Sequence, residues 1–255
     1  MKIVYPSKTA SPLSEYITEL HAIARVSAIS LLGLCIFWSY FSNSVIESWL
    51  HHIPVETGPN YENLSVYAPF DWIQMRWEIV LLLSFTTLLP LTSIQIYRFS
   101  RHGLFGRERN WLICVLFLTT ALVPILIVFV WIFGIPALFE FASNLQIEGV
   151  GQMYDAASLF SFAMGVSWII LIWSTTTLFL GMTRLFGLVS DGKPRFRSRM
   201  LAISGGTLIL TLPIEFDGLR LLTAILVVYS ADFLSRIVPI AMSPLDTRTN
   251  IDAVA

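Results

Sequence analysis

The stretch Leu212-Pro-Ile-Glu-Phe-Asp-Gly218 breaks an apolar run that otherwise extends from Met200 to Ala241. A proline, two acids and a glycine within seven residues are expensive in hydrocarbon and suit a turn at a membrane surface. The break predicts two short helices, over 199–213 and 219–240; one long helix followed by a re-entrant hairpin is the competing arrangement. Upstream, mostly apolar runs lie at 23–43, 74–97, 111–139 and 159–189, each long enough for a helix to cross a hydrocarbon core roughly 30 Å thick. The expected fold is therefore all-α: a polytopic membrane protein with six transmembrane helices, the last two short. Composition agrees, since the chain is 55% hydrophobic and only 13% charged, against about 25% charged in soluble domains. Its mean hydropathy is +0.71.

Lysine and arginine orient the spans, because cytoplasmic loops carry an excess of them. Segments 44–70 and 140–158 contain neither residue, whereas 98–109 holds Arg98, Arg101, Arg107 and Arg109, and 184–199 holds Arg184, Lys193, Arg195, Arg197 and Arg199. The two basic loops are expected to face the cytoplasm. With six spans, both termini then lie on that side, including the tail 242–255, and Lys2, Lys8, Arg25 and Arg236 agree. The N-terminal stretch has no apolar core directly after its basic residues, so it is expected to be retained, as an amphipathic helix over 11–22, rather than cleaved as a signal peptide. No internal repeat divides the chain, and 1–255 is expected to form a single transmembrane domain.

A net charge of −1 gives no reason to expect nucleic acid, so partners are sought in or at the bilayer, membrane lipids among them. Cys35 and Cys114 fall inside apolar runs, where buried thiols are the ordinary outcome. The chain has no HExxH, no GxSxG and no pair of aspartates in mid-span, which argues against a hydrolase. It has no GxxxxGK[ST] for a nucleotide, and His51-His52 lacks a nearby third ligand, so neither a cofactor nor a metal is expected. The Asp191-Gly192 of "SDGKPRFRSR" reads as a turn followed by a cytosolic anchor.

A carrier or channel for a small solute is the alternative from another class, and it requires ionisable groups facing a water-filled path. Arg76 and Glu78 lie near the outer end of the second span, where their heads snorkel to the interface. Asp232 is the acid expected within the last span, four residues from Arg236 on the same helical face. The run Trp173-Ser-Thr-Thr-Thr177 offers hydroxyls that bond back to their own helix or turn to a partner.

Several stretches, in order along the chain, carry a resemblance. "SPLSEYITEL", ending in Glu19-Leu20, is followed by "YAPFDW" at 67–72. Next come Pro90, Gln95, Phe99, Leu104-Phe105 and Glu108-Arg109, then "IPALFEFAS" with "EGV" at 148–150, "YDAASLFSFAM" at 154–164, and "LTLPIEFDG". Together they resemble the TatC family, the multispanning receptor of twin-arginine protein export. Two departures stand out. His21 replaces the arginine of the family's Glu-Leu-Arg, and Thr175 and Thr177 stand where the family commonly has a glutamate and a proline in the fourth span.

The resemblance implies a non-enzymatic receptor in the cell membrane of a prokaryote, or an organellar membrane. Such a receptor binds signal peptides bearing two adjacent arginines and recruits small TatA/TatB-like single-span proteins, as a homo-oligomer in a larger complex. Two guanidiniums are read best by two separated carboxylates, and Glu19 and Glu108 are the candidates. Phe99, Leu104, Phe105 and Arg109 complete the expected signal-peptide site. On a concave face of the bundle, Gln95, Thr175, Thr176 and Asp232 are the expected polar contacts inside the membrane.

Overall fold

The computed structural model describes residues 13–52, 64–65, 69–101, 106–144, 154–185 and 194–238. Their architecture is helical throughout except for one miniature parallel ladder: β1 (Leu64–Ser65) pairs with β2 (Tyr154–Asp155), joining the two arginine-free connections.

The first helix, α1, runs unbroken from Leu13 to Leu50. The expected amphipathic helix and first span are thus one element. No proline interrupts this sequence, and propagating a helix once begun adds a hydrogen bond per residue at little entropic cost. α2 (Pro69–Ser100) and α3 (Gly106–Phe129) carry Pro90 and Pro124 inside them. α3 continues through a single π turn, Val130–Gly134, into α4 (Ile135–Asn144). Pro136 explains the π turn: with no N–H it cannot serve the carbonyl of Ile132 in α register or of Trp131 in π register. The Ile135 N–H instead reaches back to the carbonyl of Val130.

α5 (Ala156–Leu185) is the central helix, packing on α2, α3, α6 and α7. Its N-terminus is capped by Asp155, whose carboxylate accepts from the backbone N–H groups of Ala157 and Ser158 and so satisfies donors that a helix start leaves open. α6 (Pro194–Thr211) and α7 (Arg220–Ser235) follow. Four stretches, Ile17–Leu50, Phe70–Ser100, Arg109–Phe141 and Ala156–Arg184, are long and apolar enough to cross a membrane. α7, with 16 residues, is about 24 Å long, short of a full hydrocarbon core.

The turn expected at 212–218 separates α6 from α7. Ile214–Phe216 form one 3₁₀ turn, and Gly218 has φ +83°, the left-handed conformation that glycine adopts without penalty. Phe216 stacks on Phe162 with ring centroids 5.2 Å apart, anchoring the turn to α5. Gly165 makes this possible, because a Cβ there would lie 2.4 Å from the Phe216 ring.

The principal core gathers Ile46 and Trp49 of α1, Ile79 and Leu82 of α2, Val123 and Ile127 of α3, Trp131, and Phe160, Ala163 and Met164 of α5. The Trp49 indole donates at 3.0 Å to the Trp131 carbonyl, to which Pro136 has no N–H to offer, and the Trp131 indole donates to Ser167 Oγ at 2.7 Å. In lipid every such carbonyl must be satisfied within the protein. One face of α1 is bare, with Ile29, Leu32, Ile36 and Tyr40 exposed along it, as expected of side chains that face acyl chains.

Candidate functional site

The bundle has two chemically distinct ends. α1 and α2 are antiparallel neighbours, with Ser27 Oγ donating to Gln95 Oε1 at 2.8 Å. Glu19 lies eight residues before Ser27, about 12 Å along the axis, which carries it to the level of the C-terminal end of α2. Glu19 is exposed there. Glu108 belongs to the first turn of α3, which starts at that same end. The two acids proposed to read paired arginines thus belong to different helices at one end of the bundle. Arg109 is exposed beside them and Phe99 is half-buried in the last turn of α2. Leu104 and Phe105 lie outside the described residues.

The expected contacts inside the membrane do not converge on one cavity. Gln95 is engaged by Ser27. Thr175 donates back to the carbonyls of Leu171 (2.9 Å) and Ile172 (3.1 Å), and Thr176 to that of Ile172 (2.6 Å). Both threonines line a groove of about 200 Å³ between α5 and α6, opposite Met200, Ile203 and Ser204. Asp232 is buried on α7 and pairs with Arg236 at 3.0 Å, as its spacing predicts. It is also held bidentately by Arg197 of α6, through Nε and Nη2. Arg184 of α5 donates to the Arg236 carbonyl at 3.3 Å.

Two outer-end residues expected to snorkel behave differently. Arg76 donates to Ser42 Oγ (3.1 Å) and the Ser39 carbonyl (3.0 Å), tying α2 to α1. Glu78 accepts from Gln74 at 2.8 Å and, with Asp71, Asp155 and Glu215, lines an acidic recess near the turn between α6 and α7. An apolar cavity of about 600 Å³ opens between α1 and α3 over the face of α2, bounded by Phe37, Phe41, Trp49, Leu82, Ile127 and Ile132.

A family model described as "Sec-independent protein translocase protein (TatC)" matches residues 15–211, well over half of the chain. The chain belongs to the TatC family. It is a transport family and not an enzyme family, and its members are multi-pass membrane proteins. One curated relative, a Sec-independent protein translocase protein TatC from Methanocella arvoryzae, is 29% identical over 112 residues. That match spans 43% of this chain and 44% of the relative, less than half the length of either. A crystal structure of the twin arginine translocase receptor TatC superposes with a TM-score of 0.62 at 19% identity, covering 88% of this chain and 99% of that one. The receptor crystallised in DDM gives the same score at 18% identity, covering 88% and 100%. At such identity the likeness establishes the TatC fold alone.

Proposed function

We propose that this TatC-family chain is the receptor and core subunit of a twin-arginine export system in a prokaryotic cell membrane. In this reading it forms one domain of six spans, α6 and α7 being the short final pair, with both termini cytoplasmic. The observation that carries the proposal is the family match over 15–211 together with Glu19 and Glu108 on separate helices at one end of the bundle. Two rigid helices hold the acids apart, so a pair of adjacent guanidiniums can meet one carboxylate each. Phe99 and Arg109 border that site, and the family resemblance assigns Leu104 and Phe105 to it as well.

The apolar segment of the signal peptide needs a lipid-like surface. The cleft between α1 and α3, at about 600 Å³, exceeds the roughly 400 Å³ that one turn of a helix 10 Å wide occupies. TatA/TatB-like single-span proteins would pack alongside, with Gln95 as a polar contact and further copies of the chain in the complex; Thr175, Thr176 and Asp232, expected to join it, are bonded within the chain.

The test is crosslinking to a twin-arginine signal peptide in membranes. Losing one charge-assisted pair, worth about 1.5–3 kcal/mol, is expected to weaken capture roughly 10- to 100-fold for Glu19→Ala or Glu108→Ala. Unchanged crosslinking in both variants, each correctly inserted, overturns the reading. Solute flux in proteoliposomes lacking any partner would favour a carrier instead.

A further inference from the structure

We propose that the arginine cluster where α5, α6 and α7 meet binds one anionic phospholipid, with its phosphate on the guanidiniums and an acyl chain in the groove between α5 and α6. Arg197 and Arg236 share a single carboxylate, Asp232, so the pair of cations is only half neutralised by it. Arg184 reaches the same spot through the Arg236 carbonyl. The Arg236 side chain is 55% exposed and that of Arg197 28%. The cluster is open to the headgroup layer while its carboxylate is buried. Guanidinium matches phosphate oxygens bidentately, and basic pockets between transmembrane helices favour anionic headgroups.

The groove decides between a lipid and other occupants. It begins at Met200, about one turn of α6 beyond Arg197, and runs past Ile203 and Ser204 to Thr207. Its volume of about 200 Å³ is half of what one helical turn occupies, roughly 400 Å³, so it admits a single extended chain and excludes a helix. A free phosphate would leave it empty. The opposite end of the bundle carries Asp71, Glu78, Asp155 and Glu215 around one recess, which repels anionic headgroups and confines the site to the arginine end.

The experiment is native mass spectrometry of the purified full chain, with phosphatidylglycerol or phosphatidylcholine of identical acyl chains added to the detergent. Phosphatidylglycerol is expected to be retained as a single tight adduct and phosphatidylcholine to be lost. The double variant R184Q/R236Q is expected to retain phosphatidylglycerol about 30-fold more weakly, while R184K/R236K, which keeps both charges, retains it. Ile203→Trp fills the groove with every arginine intact and is also expected to weaken retention. Equal retention of the two lipids, wild-type retention by R184Q/R236Q or by Ile203→Trp, or displacement by equimolar glycerol phosphate would each overturn the proposal. Helicity and elution volume identify any variant that fails to fold, and the lysine variant then carries the comparison.

Discussion

Replacing Arg197 with alanine is expected to destabilise the protein more than replacing the acid it binds. Asp232 is 6% exposed and draws two charge-assisted hydrogen bonds from Arg197 and one from Arg236. Removing one partner of a buried ion pair costs about 3–5 kcal/mol because the other charge is stranded. For Arg197→Ala the remaining Arg236 contact lowers that to about 2–3 kcal/mol. For Asp232→Ala the stranded groups are guanidiniums that already reach the surface, so the cost falls to about 1–2 kcal/mol. At roughly 2–4 °C per kcal/mol for a chain of this size, Arg197→Ala lowers Tm by about 5–10 °C and Asp232→Ala by about half as much. The double variant, which strands no carboxylate, should resemble Asp232→Ala, giving a coupling energy of about 2–3 kcal/mol. Thermal unfolding in detergent, followed by tryptophan fluorescence, reads all four proteins. Additive single-variant effects, or a larger loss for Asp232→Ala, would refute the clamp.

Three further outcomes follow from the packing. Trp49→Phe keeps the ring but deprives the Trp131 carbonyl of its indole donor, so a loss of about 1–3 kcal/mol is expected in the same melt. Gly165→Ala drives a Cβ to 2.4 Å from the Phe216 ring and 3.0 Å from Pro213; overpacking of about 1–3 kcal/mol is expected, with faster proteolysis in the turn between α6 and α7. Ser27→Ala leaves Gln95 without its α1 partner, but interhelical hydrogen bonds in membranes average only about 0.6 kcal/mol. A Tm shift no larger than about 2 °C is expected, and a loss as large as that of Trp49→Phe would place an unrecognised role on Gln95.

The elements were legible where a single local rule dominates. Long apolar runs gave the four long helices, and Pro213 with Gly218 gave the turn between α6 and α7, because each acts on its own few residues. The merger of the N-terminal amphipathic stretch with the first span was not legible, since polarity changes along α1 while helix propensity does not. The π turn is encoded in Pro136, but only the arrival of Trp49 from α1 explains how the freed Trp131 carbonyl is satisfied inside the bundle. The site divides the same way. Arg236 was readable as the partner of Asp232 because four residues on a helix are neighbours. Arg197, 35 residues away, left no local trace, as its pairing exists only once α6 and α7 pack together.

Thr175 bears on how the receptor reading applies to this chain. A carboxylate there, as in much of the family, would face Met200, Ile203, Ser204 and Thr207 across the α5–α6 groove, and none of those side chains is a cation. Arg197 does not line that groove and is turned to Asp232 on α7. A buried charge without a partner is costly in lipid, whereas the threonine hydroxyl is satisfied by its own helix at 2.9 Å. The local packing therefore favours threonine at 175 and disfavours any mechanism that needs an acid there. In the proposed receptor, signal-peptide capture then falls to Glu19 and Glu108, and Thr175→Glu is expected to destabilise the bundle without improving crosslinking to a twin-arginine peptide. A Thr175→Glu protein that melts like wild type and captures the peptide more tightly would show that the groove supplies a countercharge after all.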